Sequence, residues 1–145
     1  MKPVLHRHPL ERRECRRFRV PGMTVTFRKG GLLRWFGTKR VEDCPVIEMS
    51  KGGMRMFVDK KIKVDELIEM EFFIPDSEKT LVLKGNVKWF SPAPSKSYRY
   101  QVGVQFLPYR SGSGYNPPEM LKVIKELETE YINEVNPFLR ESPRP

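Results

Sequence analysis

Apolar and polar residues alternate with a period of two along most of the chain after residue 22, the signature of strands that bury one face. Met23, Val25 and Phe27 share one face and Thr24 and Thr26 the other, in a segment rich in strand formers. Lys29-Gly30-Gly31 closes that strand, and residues 32–43 read as a basic loop holding Trp35 and Phe36. Pro45 to Met49 predicts a second short strand, Ser50-Lys51-Gly52-Gly53 a turn, and Met54, Met56 and Val58, alternating with Arg55 and Phe57, a third strand. Asp59 to Asp65 is a charged connection. Ile68, Met70, Phe72 and Ile74 then mark a fourth strand, Leu81, Leu83, Gly85, Val87 and Trp89 a fifth, and Tyr98, Tyr100, Val102, Val104 and Phe106 a sixth. Pro75-Asp76-Ser77 and the proline-bearing stretch 91–96 supply turns between them. Gly85 and Gly103 are expected at bends of the kind a closing sheet needs.

The period changes once. Leu121, Ile124, Leu127, Tyr131 and Val135 recur at helical spacing, behind Asn116 as the expected N-cap, Pro117 as the first helical residue and Glu119 three residues on. Asn136-Pro137 ends that helix. Residues 1–21 show no core-facing period and carry Pro3, Pro9 and Pro21. The expected organisation is therefore a basic arm over 1–21, a β domain over 22–109, a helix over 116–135 docked on it, and a disordered tail over 136–145. Short strands joined by turns, with no helix between them, predict a mainly β, antiparallel barrel or sandwich rather than a βαβ sheet.

Composition narrows the function classes. With 145 residues, 39% apolar and 31% charged, the chain has enough material for one core and no apolar run long enough to span a bilayer. The first eighteen residues lack the apolar stretch and cleavage site of a secretory signal, and Cys15 and Cys44 have no metal-type spacing. A cytoplasmic protein with two free thiols is expected. His6 and His8 have no third ligand within sequence reach, so no metal is expected. There is no nucleophile–base pair and no phosphate loop of the G-x-x-x-x-G-K type, so an enzyme is not expected.

The net charge of +9 is concentrated. Residues 1–40 hold twelve basic side chains against two acidic ones, while the remaining 105 residues hold fifteen against sixteen. A field of that kind recruits an anion, and the dominance of arginine favours bidentate contacts to phosphate or to the O6/N7 edge of guanine. Two candidate patches follow. Arg13-Glu14-Cys15-Arg16-Arg17 places arginines four apart just before the first strand, with Arg12 and Arg16 as an overlapping pair. Glu48-Met49-Ser50-Lys51-Gly52-Gly53 joins strands two and three, where a hydroxyl and backbone amides beside glycines can approach an anion closely. Glu48 and Ser50 also suit a simple turn cap. Trp35, Phe36, Trp89 and Tyr98 suit base stacking, but aromatic residues of a small barrel more often fill the core, and Trp89 is assigned there.

These patches resemble the PilZ family, which carries R-x-x-x-R ahead of its first strand and [D/N]-x-S-x-x-G at a strand turn. Leu83-Lys84-Gly85-Asn86-Val87-Lys88-Trp89 is similar to the family's G-x-V-x-W strand, and Tyr100-Gln101-Val102-Gly103-Val104-Gln105-Phe106 to its closing V-G-V-x-F strand. The likeness covers about residues 11 to 108. It implies a small six-stranded antiparallel β-barrel with one C-terminal helix, and cyclic di-GMP as ligand rather than a cofactor. It further implies that Arg13 and Arg17 grip guanine edges and phosphates, that Ser50 bonds a phosphate or ribose oxygen, and that Gly52 and Gly53 keep the turn open. Arg12, just before the first motif arginine, is expected to favour a stacked pair of nucleotides. Glu48 departs from the pattern, standing where the family has Asp or Asn. The arm, about residues 7–20, is expected to order on binding, and an unidentified bacterial effector protein would receive the signal. Two alternatives stay open: a PilZ-like adaptor that binds protein without nucleotide, and a basic barrel that binds RNA, although strands four to six carry no basic surplus for the latter.

Overall fold

The computed structural model describes residues 16–30 and 40–132. Among them six strands, β1 (Thr24–Lys29), β2 (Val41–Met49), β3 (Gly53–Val58), β4 (Leu67–Phe73), β5 (Leu81–Pro92) and β6 (Tyr100–Phe106), are followed by helix α1 (Pro118–Tyr131). The strands close into a barrel in the order β1-β2-β3-β6-β5-β4, with each neighbouring pair antiparallel. Among the described strands closure leaves no unpaired edge, the arrangement that removes a template for edge-to-edge pairing.

The inward set is the alternating apolar set. Val25, Met56, Ile68, Met70, Leu81, Leu83, Val87 and Val102 are all at most 1% exposed, and the Phe72 and Phe106 rings meet edge to face in the same core. β2 begins four residues before the expected Pro45. Its first half escapes a period-two reading because the β1–β2 register jumps between Val25 and Phe27. Asp43, at a left-handed φ of 53°, lies across that jump with its amide bonded to the Thr26 hydroxyl.

The end of the expected arm is part of the barrel. Phe18 and Val20 are 1% and 2% exposed, and Phe18 exchanges both backbone hydrogen bonds with Met49, at 2.8 and 2.9 Å. Burying a phenylalanine contributes roughly 1.5–3 kcal/mol, enough to hold a short flanking segment in place. Residues 16–20 therefore run beside the end of β2 and alternate as a strand does, with Arg17 and Arg19 outward. Residues 7–15 lie outside the described residues.

α1 buries Ile124 and Leu127 and packs on β5, with Met120, Val123 and Tyr131 alongside. Its N-cap is Pro117, which offers no side-chain cap, and the expected cap Asn116 is instead buried at 1% exposure and spent elsewhere. Asn116 Oδ1 accepts from the Lys84 amide at 2.7 Å, while its Nδ2 donates to the carbonyls of Lys84 and Leu107, both at 3.0 Å. It pins the link between β6 and α1 onto β5. Residues 133–135 of the expected helix, and the tail, lie outside the described residues.

Cys44, on β2, is 4% exposed, and burial, with Asp43 and Asp59 adding to it, pushes its thiol from 9.0 up to about 12. Between those values the unfolded chain ionises this thiol and the folded chain does not, so rising pH above 9.0 favours unfolding through this group. In a Cys15→Ser variant at pH 8, Cys44 is expected to resist a thiol reagent until denaturant is added. Fast labelling of the folded variant would contradict its burial.

Candidate functional site

The Phe18–Met49 bridge decides where the arm delivers its charge. With Phe18 turned inward, Arg17 faces outward at the level of Ser50 in the antiparallel pairing, and its Nη1 reaches diagonally to donate to Glu48 Oε2 at 3.2 Å. Glu48 lies opposite Arg55 in the β2–β3 register, and Arg55 Nε donates to the same carboxylate oxygen at 3.1 Å. The second end of that guanidinium is also held, since Nη1 donates to Gln101 Oε1 at 3.3 Å.

The β2–β3 turn forms the other wall. The Ser50 amide donates to the Gly53 carbonyl at 2.8 Å, and the Gly52 amide donates to Ser50 Oγ at 3.2 Å. The Phe106 amide bonds the Gly52 carbonyl at 2.9 Å, and the Tyr109 hydroxyl donates to the Lys51 carbonyl at 2.7 Å, so the turn is fixed from two sides. Gly53 is required by close approach, because a Cβ there would run into the backbone carbonyl of Val104 on β6.

Arg17, Glu48, Ser50, Gly52 and Gly53 line one open cleft of about 220 Å³, so five of the seven candidate residues are brought together. Arg12 and Arg13 lie outside the described residues. Arg55 and Lys88 line the same cleft and are not among the candidates, and Trp89, suited to stacking but assigned to the core, lines it too. Trp89 is 39% exposed and corrects its assignment to the core. The β5–β6 register slips between Val87 and Trp89, so the phase of alternation is lost there, and the indole lies over Gly103, where any Cβ would collide with it. Tyr98 is likewise outside the core cluster, stacked face to face on Phe57 with ring centroids 5.6 Å apart. Trp35, Phe36, His6, His8 and Cys15 lie outside the described residues. Among the described residues no His, Cys, Asp and Glu group is placed to hold a metal ion, and no helix is long and apolar enough to cross a membrane.

Residues 11–114 match the family model described as PilZ domain, a span that contains the barrel, the cleft and both arginine and turn motifs. The chain belongs to the PilZ family. Among solved structures the K. pneumonia MrkH–c-di-GMP complex is similar to this PilZ chain, with a TM-score of 0.58 and 16% identity over 82% of this chain. At that identity the likeness is one of fold. The match takes in 52% of the MrkH chain, so this chain spans about half the length of that relative. Comparison with the curated proteins gave no match.

The electrostatics of the PilZ cleft are mixed. Two guanidinium groups share one carboxylate, whose side chain is 23% exposed, against 71% for Arg17 and 37% for Arg55. Exposed pairs of this kind add little to folding stability. Their value is positional: the cleft presents a cation on a flanking segment, an acceptor on a strand, and a hydroxyl with backbone amides at a glycine turn.

Proposed function

We propose that this PilZ domain is a receptor for cyclic di-GMP, which binds the messenger without transforming it and passes the signal to a separate effector protein. The observation that carries this reading is the convergence of Arg17, Glu48, Ser50 and Gly53 on one cleft from separate segments. Two phosphates and two guanines ask for guanidinium forks, a carboxylate that can accept from guanine N1–H and N2–H, and donors beside a glycine turn. The exposed indole of Trp89 adds a flat apolar face against which a base can stack. Arg12 and Arg13, on the segment that precedes Arg17, would close over the nucleotide, and that closure is the conformational change an effector would read.

Isothermal titration with cyclic di-GMP, beside GTP and an RNA oligonucleotide, tests the reading. Saturable binding of cyclic di-GMP alone is expected, whereas tighter binding of RNA, or no heat with cyclic di-GMP, sinks it. Arg17→Lys keeps the charge but loses the fork, so affinity should fall by about 1–2 kcal/mol, toward the lower range for hydrogen bonds to charged groups. Arg28→Lys should do little, because Arg28 sits on β1 opposite Glu69 and outside the cleft. Equal losses from both changes would mean that the anion is held by diffuse charge.

A further inference from the structure

We infer that Arg55 is the positioning residue that sets the Glu48 carboxylate for reading a guanine edge, and so a determinant of base selectivity. The inference rests on the receptor reading above and deepens it. Glu48 has three side-chain torsions and lines an open cleft, so its carboxylate has no fixed direction unless something holds it. Arg17 holds it from a flanking segment with a side chain 71% exposed. Arg55 holds it from β3, with a side chain 37% exposed. Its own fork is anchored twice, with Nε on Glu48 Oε2 and Nη1 on Gln101 Oε1, and Gln101 is fixed in turn by its Nε2 donating to the Pro92 carbonyl at 3.3 Å. The order of support therefore runs from β5 through β6 and β3 to β2.

Both arginines use the same oxygen, Oε2. Among the described residues none donates to Oε1, so the carboxylate is tethered by one oxygen and presents the other to a donor arriving in the cleft. Guanine brings two donors, N1–H and N2–H, on one edge. Adenine brings a ring nitrogen that is an acceptor at the matching position, which a fixed carboxylate repels. A site built to accept a hydrogen bond rejects an analogue that cannot give it, but only while its acceptor is held still. Without Arg55 the Glu48 carboxylate is free to swing with Arg17, and the discrimination weakens.

The test is the ratio of affinities for cyclic di-GMP and cyclic di-AMP, measured by titration on the full chain. In Arg55→Met, which keeps an unbranched stem and loses the charge, the ratio should fall about tenfold, the lower end for a lost hydrogen bond to a charged group. Arg55→Lys should keep more of the ratio than Arg55→Met, since an ammonium can still hold Oε2. It carries the test alone if Arg55→Met fails to fold. In a Glu48→Ala background Arg55 has no carboxylate to position, so adding Arg55→Met should change the ratio less than about twofold, as for uncoupled sites. An equal loss for both nucleotides with the ratio unchanged, or the same fall in both backgrounds, overturns the inference and leaves the receptor reading standing. Failure of the unaltered chain to bind either nucleotide overturns both.

Discussion

Gly53→Ala is expected to weaken the fold by about 2–3 kcal/mol, as overpacking against an immovable neighbour does, and to lower cyclic di-GMP affinity at least about tenfold in the same protein. The added methyl would meet the carbonyl oxygen of Val104, part of the β3–β6 ladder, in which Gly53 pairs with Gln105. A flexible side chain in that place could step aside; a laddered carbonyl cannot without opening the seam. The seam and the site are the same object here, because Gly53 accepts the Ser50 amide and Gly52 accepts the Phe106 amide. Moving β3 away from β6 therefore moves the turn that carries Ser50. Gly114→Ala is the control, since a Cβ there has nothing within 4 Å. Urea unfolding of the two variants, with titration of each at a temperature where it is folded, reads both effects. A Gly53→Ala protein as stable as Gly114→Ala, or one that binds as the parent does, would remove the close approach from the account.

The parts of this molecule that could be read in advance are those where one rule acts alone. Met54, Met56 and Val58, or Ile68, Met70 and Phe72, alternate because one face of a laddered strand is buried, and each lies in the core as expected. Ser50, Gly52 and Gly53 fall within four consecutive residues, so local chemistry names them. Reading failed where a second rule interfered. Trp89 follows a run of buried alternate positions, but the register slip after Val87 turns Lys88 and Trp89 outward together. Phe18 and Val20 alternate with Arg17 and Arg19 over only four residues inside a charge run, too short a stretch to separate from a solvated arm. Arg55 looks like any outward strand residue. Its meaning comes from the register that sets it opposite Glu48 and beside Gln101, and register is a property of pairs of strands.

Asn116 shows the same ambiguity in its purest form, because a residue that reads as a helix cap in sequence is a buried three-way link in the fold. Asn116→Ala is expected to destabilise the barrel by about 3 kcal/mol, because it strands one backbone amide and one carbonyl that cost about 1–3 kcal/mol each when left unpaired, less whatever water recovers. The loss falls on the Lys84 amide and the Leu107 carbonyl, while the Lys84 carbonyl keeps the Leu107 amide at 3.0 Å. A cap lost to solvent would cost only about 1 kcal/mol, so the two roles separate by size. For a chain of this length each kcal/mol shifts the thermal midpoint by roughly 4 °C, and a fall of roughly 10 °C or more is expected. Asn116→Asp should be no better, since a carboxylate keeps the acceptor for Lys84 but sets negative charge against two carbonyl oxygens. The consequence reaches the site through Tyr109. That residue bridges to Asn116 and donates its hydroxyl to the Lys51 carbonyl, so loosening residues 107–116 removes one of the two fixings of the β2–β3 turn. Cyclic di-GMP should then raise the midpoint of the variant by less than it raises that of the parent at equal ligand concentration. A midpoint within about 3 °C of the parent would show that Asn116 is replaceable by water, and an undiminished ligand shift would show that the turn stands without it.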